Sequence, residues 1–193
     1  MLSKMKIAIT GTIGSGKTEV SNYIRSKGYY VFDADKTNSI LLNKGNIGYL
    51  EVRKHFPEVF DGDELNKVRL ASIVFSDSNK KRELENIMHP LILAEMNKES
   101  SKYDIFFAEI PLLFEVNWDI YFDVSILVVS DDDVVIDRLV KYRGLTVQNA
   151  KMRIANQMSV REKIKRADEI IYNNSDLTDL YKKIDDILDK YVR

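Results

Sequence analysis

Apolar residues along the chain concentrate in five short runs, with helical patterns between most of them. The runs cover residues 6–10, 29–33, 104–110, 123–130 and 169–173. Most are nearly continuous rather than alternating, which is typical of parallel strands covered on both faces. After the last run, apolar positions with helical spacing predict an amphipathic helix from Leu177 that packs on the sheet: Leu180, Ile184, Ile187, Leu188 and Tyr191. The pattern therefore predicts a doubly wound α/β fold with a five-stranded parallel sheet.

Residues 36–102 interrupt this alternation, because they are far more numerous than a strand-to-strand crossover requires. Their apolar spacing is helical on both sides of Pro90: Leu84, Ile87 and Met88 come before it, Leu93 and Met96 after it. Proline suits the first turn of a helix, so we expect Pro90 to begin a new one. The segment is interpreted as a helical insert that grips an acceptor substrate.

Residues 138–157 are interpreted as a second, irregular insert that could fold over a nucleotide. The segment is rich in basic residues: Arg138, Lys141, Arg143, Lys151 and Arg153. Arg138, Arg143 and Arg153 are candidates to clamp phosphates, since a planar guanidinium binds phosphate through two hydrogen bonds. For any one of them alone, a solvated helix face is the competing interpretation.

A complete GxxxxGK[ST] motif lies between the first strand and a helical pattern, the context in which it binds phosphate. Backbone N–H groups and the positive end of the helix cradle the phosphates, Lys17 reaches the β- and γ-phosphates, and Thr18 ligates Mg²⁺. The motif predicts nucleotide binding. Its residues are Gly11, Thr12, Ile13, Gly14, Ser15, Gly16, Lys17 and Thr18.

Carboxylates follow two predicted strands at the sheet edge where ligands bind. Asp33 and Asp35 close the second strand, and their spacing of two puts them on the same side while the chain stays extended. One could accept a proton from an attacking hydroxyl or hold Mg²⁺ through water. The alternative is a solvated strand end, or Asp35 as the cap of the next helix. Glu109 ends the third strand, a common place for a carboxylate near the metal.

An apolar shoulder follows Glu109: Pro111, Leu112, Leu113, Phe114 and Glu115. It either walls a substrate pocket or is a strand running into a buried turn. His89 and His55 are too isolated to build a metal site together.

Composition excludes several classes of function. The net charge of −1 gives no bulk attraction to nucleic acid or anionic membranes. The absence of cysteine excludes disulfides and thiolate chemistry and suits a reducing cytoplasm. We expect no signal peptide, since the strand pattern starts at Lys6, and no membrane span.

Among phosphate-loop proteins, a regulatory GTPase would need an Asn-Lys-x-Asp motif and an Asp-x-x-Gly switch, and neither occurs. An ATPase module is usually longer, and only Glu109 fits its pattern. A small-metabolite kinase fits the chain length, the insert and the arginine-bearing segment.

Six ordered motifs narrow this class further. They are the phosphate loop, Asp-Ala-Asp at 33–35, His-Pro-Leu-Ile at 89–92, Pro-Leu-Leu-Phe-Glu at 111–115, the lid sequence from Arg138 through Gly144, Leu145 and Thr146 to Gln157, and the final motif at 167–174. In this order and spacing the chain resembles the dephospho-CoA kinase family nearly end to end.

The resemblance implies a P-loop kinase-type fold in three parts: a nucleotide core (1–35 and 103–193), a helical CoA-binding insert (36–102) and a lid (138–157). It implies that ATP, with Mg²⁺ bound by Thr18, phosphorylates the ribose 3′-hydroxyl of dephospho-CoA, the last step of CoA synthesis. A cytoplasmic monomer with small-molecule partners, binding neither nucleic acid nor membrane, is expected. The alternatives are a kinase of another nucleoside, nucleotide or metabolite, and a nucleotide-sensing switch without turnover.

The resemblance also assigns roles to individual residues. Asp35 takes the position of the base, with Lys17 and Arg143 as its catalytic partners. ATP is bound by residues 11–18 together with Glu19, Arg138 and Asn173. The acceptor side comprises Asp33, Asp35, His89, Pro111, Leu112, Leu113, Phe114, Glu115, Arg143 and Arg153. The chain departs from the family's usual residues at Thr12, Glu19 and Lys67, without losing a required chemical group.

Overall fold

The computed structural model describes residues 4–192, which form seven strands and nine α-helices. The strands are β1 (Met5–Gly11), β2 (Val31–Asp33), β3 (Phe60–Asp61), β4 (Glu64–Leu65), β5 (Ile105–Glu109), β6 (Val124–Val129) and β7 (Glu169–Tyr172). The helices are α1 (Lys17–Ser26), α2 (Ala34–Leu41), α3 (Ile47–His55), α4 (Lys67–Ser76), α5 (Ser78–Ser100), α6 (Asp132–Arg143), α7 (Val147–Ala155), α8 (Val160–Ile164) and α9 (Leu177–Tyr191). Short 3₁₀ turns cover Pro57–Val59 and Trp118–Tyr121. Among these residues, no helix combines the length and apolar character needed to cross a membrane.

Five of the strands form one parallel sheet in the order β2-β5-β1-β6-β7. The five predicted strands are confirmed, with ends that differ by at most two residues. β6 is buried along its whole length, as the nearly continuous apolar run required. The connection after β1 leads to the β2 side of the sheet, whereas the connection after β5 leads to the β6 side. The carboxyl ends of the neighbouring strands β1 and β5 therefore form a switch point, where α/β sheets bind ligands.

One face of this sheet packs against α1 and α9. Ile7 and Ile9 of β1 share a buried cluster with Val20 and Ile24 of α1 and with the apolar face of α9: Leu180, Ile184, Ile187 and Leu188. The predicted amphipathic C-terminal helix is thus confirmed. Because the apolar face of α1 is buried against the sheet and α9, the position at which the preceding loop enters this helix is fixed.

The chain falls into two compact units, one made of residues up to Asp33 and from Lys102, the other of Ala34–Ser101. The second unit consists of α2 to α5 and the β3–β4 hairpin. The prediction that Pro90 begins a helix is wrong, because α5 continues through it from Ser78 to Ser100. Proline removes one hydrogen bond from the helix interior. The burial of Met88, Ile92 and Met96 along one face outweighs that loss and keeps the helix continuous.

The interpretation of residues 138–157 as irregular is also wrong. They form the end of α6 and all of α7, joined by a turn in which Gly144 takes a φ of 62° and the Thr146 hydroxyl accepts a hydrogen bond from Asn149 N–H. A small separate core stabilises the helix pair: Val135, Leu139 and Ala150 are buried, and Ile13, Ile136, Leu145 and Ile154 pack around them. The name lid is kept for residues 138–157.

Candidate functional site

The phosphate loop joins the end of β1 to the start of α1. Gly11 is required by a close approach, because a Cβ there would lie 2.3 Å from Val128 O. Gly16 is required by its φ of 98°, a left-handed conformation that aims the chain into α1. The loop therefore presents the N-terminus of a ten-residue helix, an anion-binding site that also carries the Lys17 ammonium.

Lys17 folds back over the loop. Its Nζ donates to Gly11 O at 3.0 Å and to Thr12 O at 2.8 Å, and the Ser15 hydroxyl also donates to Thr12 O. These contacts hold the ammonium at the mouth of the loop. Its charge is thus already positioned where phosphate oxygens would bind.

Three hydrogen-bonded side chains contact the backbone of the loop at Ser15. They are Ser130, Arg138 and Asn173, and we call them the loop buttress. Asn173 Nδ2 donates to Ser15 O at 2.8 Å, and the Ser130 hydroxyl donates to Asn173 O at 2.7 Å. Arg138 donates to both partners, through Nη1 to Ser130 Oγ at 3.0 Å and through Nη2 to Asn173 O at 3.1 Å. Arg138 and Asn173, predicted to bind nucleotide, therefore contact the loop backbone and its supports; their contact with nucleotide stays a prediction.

Ser130 was missed as a site residue. The available signal was a polar residue at the end of the apolar run 123–130, at the sheet edge where ligands bind.

Thr18 and Glu109 bring two oxygen donors together at the switch point. The Thr18 hydroxyl lies 3.3 Å from Glu109 Oε1, and Glu109 is paired in register with Ile9 of β1 and Asp33 of β2. Within residues 4–192, no group of three or more histidine or carboxylate side chains forms a cation cage. Mg²⁺ does not require such a cage, since it is usually held by one or two protein oxygens, water and substrate phosphates. The hard oxygen donors of Thr18 and Glu109 fit this ion.

Glu19 is joined to the C-terminal helix. Its carboxylate accepts a hydrogen bond of 2.6 Å from the hydroxyl of Tyr181 on α9, which raises the pKa of Tyr181. Tyr181 in turn stacks on Tyr23 of α1 with ring centroids 4.1 Å apart. Glu19, predicted to bind nucleotide, thus links the first turn of α1 to α9. No local sequence signal pointed to Tyr181.

The shoulder at residues 111–115 is a turn with a buried interior. Leu113 and Phe114 are fully buried, while Leu112 is 41% exposed and Pro111 is partly exposed. Of the two interpretations left open, the structure favours the buried turn for Leu113 and Phe114. Only Pro111 and Leu112 present apolar surface that a substrate could contact directly.

Glu115 points into the protein. Its Oε1 lies 2.7 Å from Nζ of the fully buried Lys163 and accepts from Met158 N–H at 3.4 Å. Breaking a buried pair leaves an uncompensated charge, so this contact fixes the shoulder against α8. The predicted substrate contact of Glu115 stays a prediction, whereas its structural role follows from the geometry.

Asp33 and Asp35 do not share a strand face as predicted. The chain stays extended only to Asp33, and α2 begins at Ala34, which puts Asp35 in an exposed position in the first helical turn. A carboxylate there is stabilised by the helix dipole, and this favours helix over extended chain. Asp33 belongs to the sheet unit and Asp35 to the helical unit.

The remaining candidates lie on helices. His89 is half-buried in α5, and burial lowers its pKa, an effect that the nearby Glu85 carboxylate partly opposes. Arg143 ends α6 and Arg153 lies in the last turn of α7, and both are exposed. Exposed guanidinium groups on a small helical lid are accessible to an incoming phosphate.

Comparison with known proteins identifies relatives along almost the whole chain. A family model described as CoaE, dephospho-CoA kinase, matches residues 5–179. The chain is 34% identical over 188 residues to a dephospho-CoA kinase from Fusobacterium nucleatum, covering 95% of this chain and 97% of that protein. The crystal structure of TT1252 from Thermus thermophilus superposes with a TM-score of 0.89 at 32% identity, covering 99% of this chain and all of that one. A dephospho-CoA kinase from Campylobacter jejuni superposes with a TM-score of 0.72 at 26% identity, covering 96% of both chains.

Proposed function

Because this chain belongs to the dephospho-CoA kinase family, we propose that it transfers the γ-phosphoryl group of ATP to the ribose 3′-hydroxyl of dephospho-CoA. The products are coenzyme A and ADP. The observation that carries this proposal is the extent of the family match, which spans residues 5–179 and so includes the helical unit as well as the phosphate loop. A match to the loop alone would support only a phosphate-loop nucleotide-binding protein.

The phosphate loop supports the donor side of this proposal. Its N–H groups and the N-terminus of α1 bind the triphosphate, and Lys17 exchanges its contacts with Gly11 O and Thr12 O for the β- and γ-phosphates. Phosphoryl transfer depends mostly on positioning and electrostatic stabilisation, so a loop held rigid by the buttress suits the reaction.

Thr18 and Glu109 are the residues that would hold Mg²⁺, Thr18 through its hydroxyl and Glu109 directly or through water. When bound, the ion neutralises charge on the β- and γ-phosphates.

On the acceptor side, Asp35 is proposed as the general base. The ribose 3′-oxygen forms a bond to the γ-phosphorus, the bond from that phosphorus to the β–γ bridging oxygen breaks, and the hydroxyl proton passes to the Asp35 carboxylate. Arg143 and Arg153 of the lid stabilise the charge on the transferred group. Asp33, His89 and the exposed part of the shoulder, Pro111 and Leu112, contribute to acceptor binding. We further propose that the protein acts as a cytoplasmic monomer.

The test is Mg²⁺-dependent ADP release from ATP with dephospho-CoA, AMP, adenosine and thymidylate offered separately. Strong stimulation by dephospho-CoA alone is the expected result. Asp35→Asn should abolish most of that stimulation, whereas Asp186→Asn, a change at an exposed aspartate on α9, should leave it intact. Stimulation by a different acceptor, or by none, would contradict the proposal and leave only the phosphate loop.

A further inference from the structure

Gln157, the last residue of the lid, is hydrogen-bonded to the backbone of the phosphate loop. Gln157 Oε1 accepts a hydrogen bond of 2.8 Å from the backbone N–H of Ile13, across 144 positions of sequence. Gln157 lies two residues beyond the end of α7. Ile13 is the third residue of the loop, between Thr12, whose carbonyl holds Lys17, and Gly14. The contact is partly buried, so losing the acceptor would leave a backbone donor poorly satisfied.

The side chain of Ile13 is held by the same part of the protein. It packs against the small core of the α6–α7 helix pair, formed by Val135, Leu139 and Ala150. A Cβ on the neighbouring Gly14 would come within 3.1 Å of Val135, which indicates how closely the loop lies on α6. Ile13 is therefore held in two ways: the core of the α6–α7 pair contacts its side chain, and Gln157 accepts a hydrogen bond from its N–H.

Backbone hydrogen bonds at residues 157 and 158 fix the position of Gln157. Its own N–H donates to Ile154 O at 3.2 Å, and the next residue, Met158, donates its N–H to Glu115 of the shoulder. Glu115 is in turn paired with the buried Lys163 of α8. The backbone at 157–158 is thus connected to the phosphate loop on one side and to the shoulder on the other.

We infer that Gln157 is a positioning residue for the phosphate loop, holding Ile13 in the conformation from which the neighbouring N–H groups bind phosphate. An ordered loop binds more tightly because it does not have to be ordered on binding. Removing the acceptor at Gln157 leaves the Ile13 N–H poorly satisfied in its present conformation, and the loop then samples other conformations that do not bind the triphosphate. This inference rests on the proposed function in that a nucleoside triphosphate is the ligand of the loop.

The experiment compares Gln157→Met, similar in volume but lacking the carbonyl acceptor, with Gln148→Met, the same change at an exposed position in the first turn of α7. A non-hydrolysable ATP analogue with Mg²⁺ measures nucleotide affinity without any acceptor substrate. Amide hydrogen exchange reports the Ile13 N–H directly. For Gln157→Met we expect faster Ile13 exchange and a Kd for the analogue raised roughly 3- to 10-fold, the size of one lost hydrogen bond. Gln148→Met should change neither.

A third variant separates the hydrogen bond from packing. Gln157→Glu keeps an oxygen acceptor and should retain slow exchange at Ile13, even though its added charge weakens phosphate binding. An unchanged Kd in Gln157→Met, or Ile13 exchange as slow as in the wild type, would overturn the inference. A wild type that binds the analogue yet does not phosphorylate dephospho-CoA would contradict the proposed function and leave the positioning role of Gln157 intact.

Discussion

Gly16 is the position at which the structure allows the most quantitative prediction. Its φ of 98° is strained for any residue with a side chain. A Cβ on Gly16 would also lie 2.3 Å from Asn173 Nδ2, the atom that donates to Ser15 O. Gly16→Ala therefore combines backbone strain with the displacement of one member of the loop buttress.

The two contributions can be estimated separately. The backbone strain should lower the free energy of unfolding by about 1–2 kcal/mol. Moving Asn173 aside breaks its hydrogen bond to Ser15 O, which adds about 1 kcal/mol. The expected total is roughly 2–3 kcal/mol. Gly28 is the matched control, because its φ is 93° and no atom of the described residues lies within 4 Å of its added Cβ. Gly28→Ala should show the strain alone.

The assay is urea unfolding of a double-mutant cycle with Asn173→Ala, measured without nucleotide. Once Asn173 is shortened to alanine, the nearest remaining side-chain atom to the Gly16 Cβ is Arg138 Nη1 at 4.0 Å, an ordinary contact distance. The double variant should therefore be about 1 kcal/mol more stable than the sum of the single changes predicts. Additive effects, or an equal loss of stability at Gly16 and Gly28, would refute the steric part of the reasoning.

Three further predictions concern chemistry and pH. Asp35→Asn should fold and bind ATP but lose roughly 10²-fold or more in kcat, as expected for the loss of a general base; near-normal turnover would remove Asp35 from the mechanism. Lys17→Ala should reduce kcat by roughly 10²-fold or more while the urea midpoint changes little, and a comparable loss of stability would make Lys17 structural. His89 has a pKa below its unfolded value of 6.5 because it is partly buried, so its contribution to stability is fully present above that pH and is lost as pH falls through the folded-state pKa. His89→Gln should flatten this part of the pH–stability profile measured by urea unfolding; an unchanged slope would contradict it.

The sequence by itself determined the features whose interactions are local. The phosphate loop spans eight residues, and its glycines, Lys17 and Thr18 are defined by spacing alone. The five strands and α9 were predicted because burial on a sheet or a helix face imposes a short period on the chain. The same local reasoning failed at two positions. At Pro90, the packing of α5 outweighed the hydrogen bond lost to proline, and the helix continues. At Asp35, the helix dipole favours a helix that begins at Ala34 over an extended Asp-Ala-Asp segment.

Only the tertiary structure decided what surrounds the loop. Glu109, Gln157 and Asn173 contact it across 91, 144 and 158 positions of sequence, respectively. A buried parallel strand shows the same apolar run wherever it lies in the sheet, so the order β2-β5-β1-β6-β7 leaves little trace in the pattern of any one segment. That order brings Glu109 beside Thr18, and it brings the ends of β6 and β7 behind Ser15. The roles of the buttress and of Gln157 depend on which distant segments become neighbours, and short-range periodicity does not encode that choice.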